Sequence, residues 1–144
     1  MEATIQMTGN VGSDVDYRNN TAPVASFRLA HTPREKHGTE WSDGTTTWLT
    51  VKAFYGLAEN LAASLKKGDP VVVAGKLRTV AWEKDGVSQS RIELVADTVG
   101  HDLRRGAARF VRSAKSPTGE GDESVASGSA EAEDGGEAAE TRAA

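Results

Sequence analysis

The chain has 144 residues, enough for one domain with a hydrophobic core and too few for two. Residues 1–112 hold 15 Lys/Arg against 13 Asp/Glu and residues 113–144 hold 2 against 8, so the formal net charge of -4 averages a mildly basic part and an acidic one. With no cysteine, disulfide scaffolds, thiolate metal sites and cysteine nucleophiles are excluded.

From Thr4 to Val11 apolar and polar residues alternate, the period of a strand. Neither a basic n-region nor a long apolar run follows Met1, so no signal peptide or membrane span is expected, and the cytoplasm is the default location. Gly12 to Asn20 reads as a loop. Val24 to His31 is a second strand, with Ala25, Phe27 and Leu29 facing a core and Ser26, Arg28 and Ala30 facing away. Thr32 to Thr45 has the composition of a long hairpin loop, with an Asp43-Gly44 turn.

The third strand, Thr46 to Tyr55, sorts its residues by chemistry. Leu49, Val51 and Ala53 share the core face, and Trp48, Thr50, Lys52 and Phe54 share the other. The period then becomes helical from Leu57 to Lys67, with Leu57, Leu61 and Leu65 four apart and Lys66 and Lys67 in the last turn before Gly68. A fourth strand, Val71 to Trp82, turns at Asp85-Gly86 into a fifth, Ser88 to Thr98. Three strands, one helix and two strands is the order of an OB-fold, a five-stranded all-β barrel with an α-helix between strands three and four.

The expected division is an OB domain over residues 1–105, a basic junction over 106–112 and a disordered acidic tail over 113–144. His101 to Arg112 is a basic segment with helical potential that either ends the domain as a solvated strip, adds phosphate contacts or serves as an intramolecular partner for the acidic tail. Every aromatic residue lies at or before Phe110, so the tail has nothing to build a core from.

A protein that holds single strands without reading their sequence needs cations along the phosphates and flat faces on which bases stack. Trp48, Lys52 and Phe54 offer both on one strand, and Lys76, Arg78 and Trp82 repeat the pattern on the next. Trp41 and Arg34, in the long loop, are further candidates. Tyr17 and Tyr55 read as structural and Phe27 as core. His31, His37 and His101 lack a carboxylate at metal-ligand spacing, and no phosphate-binding glycine loop or nucleophile triad is visible. Neither an enzyme nor a cofactor is expected. The surface leaves open an OB-fold protein scaffold and an RNA chaperone of the cold-shock type.

Four stretches, TGNVGSDVDYR, PVASFRLA, TTTWLTVKAFYGLAENLAASLKKGD and VVVAGKLRTVAWEKDG, resemble bacterial single-stranded DNA-binding proteins, and the resemblance runs from Ile5 to Arg105. It implies that Trp48, Phe54 and Trp82 are base-stacking aromatics, that Lys52, Lys76 and Arg78 line the DNA path, and that the chain forms a homotetramer. It also implies roles in replication, recombination or repair. Where many members carry His after the strand-three Trp, this chain has Leu49. Family tails commonly close on an acidic tip with a Pro-Phe pair, but this one ends Glu140-Thr141-Arg142-Ala143-Ala144. Recruitment of repair or replication proteins through the tip is therefore expected to be weak or absent.

Overall fold

In the computed structural model, residues 1–114 of the chain are described, and the expected disordered tail therefore lies almost wholly outside the described residues. The strands are β1 (Ala3–Val11), β2 (Asp16–Asn19), β3 (Pro23–His31), β4 (Arg34–His37), β5 (Glu40–Asp43), β6 (Thr47–Phe54), β7 (Pro70–Lys84) and β8 (Val87–His101). One helix, α1 (Tyr55–Ser64), separates β6 from β7.

Strands β1, β7, β8, β6 and β3 follow one another in a single sheet, which closes into a barrel because β3 also pairs with β1. That closing seam is short, Asn10↔Ala30 and Val11↔Leu29. The expected five-stranded barrel with one helix is the observed architecture. Alternation sorted the core correctly: Ala25, Phe27, Leu29, Leu49, Val51, Ala53, Val71 and Val73 are all buried inside it.

Two segments read as loops contain strands. Asp16–Asn19 pairs with Pro23–Val24-Ala25-Ser26 on the edge of β3 that β1 leaves free. All four of its residues are exposed, so no apolar alternation marks it. The Thr32–Thr45 segment holds the β4–β5 hairpin, and its turn falls at Gly38, with φ of 66°, rather than at Asp43-Gly44. Gly44 instead donates its N–H to the Pro33 carbonyl at 2.8 Å and closes the base of that hairpin.

The helix begins and ends earlier than its leucine spacing implies. It leaves β6 directly at Tyr55, buries Ala58 and Leu61, and stops before Leu65, whose backbone is extended. Lys66 and Lys67 therefore lie in the following turn and not in the helix. The Asp69 carboxylate accepts the Lys66 N–H at 2.9 Å, an alternative to continued helix, and Gly68 supplies a φ of 96°. The same turn grips the end of β1 through Gly68 N–H to Val11 O and Val11 N–H to Asp69 O.

The helical reading of His101–Arg112 is not met, since the segment holds only a turn after β8. Asp102 forms that turn. It accepts the side-chain and backbone N–H groups of Arg104, which hold its pKa down at about 2.

Strands β7 and β8 pair along their whole length, with a bulge where Ala74↔Thr98 gives way to Gly75↔Ala96. A Cβ on Gly75 would run into the Val95 carbonyl and the Ala96 backbone, so the bulge requires glycine. Gly75→Ala should therefore lose about 2 kcal/mol or more of stability in a urea melt. An unchanged midpoint would show that the strands are not pressed together there.

Candidate nucleic-acid interface

The outward residues of β6 sit in register with those of its neighbours and form rows across the barrel. One row runs Ser26, Lys52, Val95, Lys76 and Thr4, and the next runs Arg28, Thr50, Glu93 and Arg78. Trp48 lies one step beyond, opposite Ala30, and Phe54 lies at the other end, opposite Val24. Beyond Arg78 and Glu93 the barrel partners drop away, because β1 pairs with β7 only as far as Leu77 and β6 with β8 only from Glu93 onward. The rest of β7 and β8 projects as a two-stranded arm, and Trp82 is on it.

All three tryptophans keep large exposed faces: Trp41 58 %, Trp48 51 % and Trp82 41 %. Each also carries a cation over its ring, Lys36 on Trp41 at 5.9 Å, Arg28 on Trp48 at 5.8 Å and Arg91 on Trp82 at 5.5 Å. Such contacts hold ring and cation side by side at little cost. Trp48 lies over Gly12, where a Cβ would meet the indole, so this glycine leaves the ring its seat. Phe54 is partly buried and ends β6 where α1 begins.

The cations chosen from the sequence are there, but each has an acidic partner. Lys76 Nζ lies 3.0 Å from Glu2, and Arg34 pairs with Asp43 at 3.4 Å within the β4–β5 hairpin. Lys52 and Arg78 meet at one carboxylate, Glu93, at 3.2 and 3.4 Å, and Arg91 joins them at 2.7 Å. Glu93 has no exposed surface. Burial, the largest single influence, pushes its pKa up, but the hydrogen bonds and charges of Arg91 and Lys52 together outweigh it and hold the carboxyl below its ordinary 4.5.

The structure thus brings Trp48, Lys52, Arg78 and, through Arg91, Trp82 into one connected surface, with Phe54 and Lys76 on the same face. Trp41 and Arg34 belong to the separate β4–β5 sheet. Sequence reasoning passed over Arg28, Lys36, Arg91 and Glu93. Arg28 and Arg91 share the outward parity of their strands, which was the available signal, whereas nothing in the sequence marks Glu93 as buried. The structural reading of Tyr17 and Tyr55 does not fit their exposure, 40 % and 69 %. His31 donates its Nδ1–H to the Thr8 carbonyl oxygen at 2.7 Å, and His101 lies 3.5 Å from Asp69. Among the described residues no group of three His, Cys, Asp or Glu could hold a metal, and no helix is long and apolar enough to cross a membrane.

A family model described as "Single-strand binding protein family" matches residues 3–102. A "Single-stranded DNA-binding protein" of Paenarthrobacter nicotinovorans is 37 % identical over 80 % of this chain and 71 % of its own length. "Single-stranded DNA-binding protein 2" of Streptomyces avermitilis is 40 % identical over 77 % of this chain and 72 % of its own. Among solved structures, the small single-stranded DNA-binding protein of Streptomyces coelicolor aligns with a TM-score of 0.67 at 39 % identity, covering 74 % of this chain and 99 % of that one.

A group whose pKa is lower in the folded state adds stability above its unfolded pKa and loses that stability as pH falls through the lowered value. Wild type should therefore weaken as pH drops below about 4.5. Glu93→Gln should flatten part of that fall in thermal melts taken across the acid range. Parallel pH profiles would show that the carboxylate is not held by its three cations.

Proposed function

Since the chain belongs to the single-strand binding protein family, whose model spans residues 3–102, we propose that it holds exposed DNA strands by stacking bases on Trp48, Phe54 and Trp82 while Lys52, Lys76 and Arg78 follow the phosphates. The observation that carries this reading is the pairing of exposed indoles with cations on one outward face: Arg28 beside Trp48, and Arg91 beside Trp82. Each pair supplies a flat surface for a base and a charge for the adjoining phosphate, the two requirements of sequence-tolerant binding.

Trp41, with Lys36 over its ring and Arg34 nearby on β4, supplies a third such pair on its own hairpin. The action is stoichiometric: strands are covered, hairpins suppressed and nuclease access limited, with no turnover and no cofactor. Residues 1–105 form the DNA-binding unit, 106–112 a basic junction and 113–144 an acidic stretch. The working form is a homotetramer in the cytoplasm, associated with the nucleoid when DNA is bound. Its place is in replication, recombination or repair.

Trp48→Ala, Phe54→Ala and Trp82→Ala should each weaken oligo-dT binding by about 1 to 3 kcal/mol, with little dependence on base sequence. Tryptophan quenching on titration with oligo-dT reads the effect, and unchanged affinity in all three variants would sink the stacking assignment. A matched RNA oligomer should compete poorly, and light scattering should give a tetramer mass.

A further inference from the structure

Glu93 is the charged side chain that stacking and phosphate contact leave without a task. It is fully buried, yet it points to the outward side of β8, opposite Arg78 and beside Thr50, on the face that carries Trp48 and Lys52. An acidic group beneath a surface that receives a polyanion repels it. Its two oxygens are divided among cations from three strands: Lys52 of β6, Arg78 of β7 and Arg91 of β8. The cations are not buried with it. Their side chains are 24 %, 48 % and 49 % exposed, against 0 % for the carboxylate. Each turns an inner N–H toward Glu93 and leaves an outer side open.

We propose that Glu93 is a positioning residue for DNA binding, an anion that stays beneath the bound strand, holds Lys52, Arg78 and Arg91 as one cluster, and lowers the charge this cluster offers to phosphate from three to two. The proposal rests on this face being the DNA path. A phosphate approaching from solvent meets the outer sides of the cations first. Stripping them from Glu93 would leave a buried carboxylate without partners, a costly state. Phosphate is therefore added to the cluster and does not replace its anchor. The consequence is a weaker and less salt-dependent grip, which suits a protein that must release the strands it covers.

Glu93→Gln keeps the size of the side chain and one carbonyl acceptor and removes the charge. Oligo-dT affinity, followed by tryptophan quenching between about 50 and 200 mM salt, should rise about threefold at the low end. The log-log salt slope should steepen by about 0.7, so the advantage shrinks about two- to threefold across that range. The double variant Glu93→Gln with Arg91→Gln should return to the wild-type slope. A slope for Glu93→Gln equal to or shallower than wild type overturns the proposal, because a purely structural loss weakens binding without steepening it.

Carbon-13 NMR of the Glu93 carboxyl in the wild-type protein tests the same point without a variant. The carboxyl should titrate below the ordinary carboxylate range both free and with oligo-dT bound. A rise above that range on binding would mean that DNA strips the cations away, and the proposal fails. If Trp48→Ala and Trp82→Ala weaken binding while Glu93→Gln leaves the slope unchanged, this proposal alone is overturned. If the aromatic variants also bind normally, the assignment of the face falls and the proposal with it.

Discussion

The ion cluster at Glu93 stands at the joint of the molecule. It ties β6, β7 and β8 together at the level where the barrel ends and the arm begins, since Glu93 is opposite both Thr50 and Arg78. Below it, alternating apolar residues close a core. Above it, β7 and β8 have only each other. One of the three cations, Arg91, continues outward to lie over Trp82, so the carboxylate that locks the joint also fixes the nearest support of the exposed indole.

The charge of the face follows from the same arrangement. Lys76 is neutralised by Glu2, Arg34 by Asp43, and the Glu93 cluster gives up one of its three charges. On the proposed DNA path, a surface built this way attracts phosphate only moderately and draws much of its affinity from stacking, the term that salt does not screen. That balance agrees with a folded part whose excess of basic residues is small. The exposed pairs at Glu2 and Asp43 add little stability, so their more telling effect is to orient the cations and blunt the field.

The sequence carried the barrel because the barrel is a matter of period. Phe27, Leu49 and Val51 alternate with the polar Ser26, Arg28, Thr50 and Lys52 and cannot face water without losing the core, so strand, face and order could be read together. β2 and the β4–β5 hairpin could not be read this way, because residues exposed on both sides leave no alternation. The end of α1 was hidden for a different reason: it is set by Asp69 capturing the Lys66 N–H, a contact made after the helix pattern has already run past it. For the interface, parity placed Trp48, Lys52, Phe54 and Arg78 on one face. It could not say that Glu93, a carboxylate on an outward position, would be buried, since that depends on cations arriving from three strands at once.

The arm carries a last consequence. A two-stranded ribbon without a second layer is marginal in water. This one has an unbroken register from Thr79↔Ile92 to Lys84↔Val87 and a tight turn at Asp85 and Gly86, whose φ values of 53° and 76° match the twist of a hairpin. Its apolar surface is nonetheless left to solvent, with Trp82, Val87 and Ile92 all exposed. On the proposed stacking, a base on Trp82 covers part of that surface and becomes the missing layer. Holding the strand and ordering the arm are then one equilibrium, so the affinity that Trp82 contributes is what remains after the arm has been fixed.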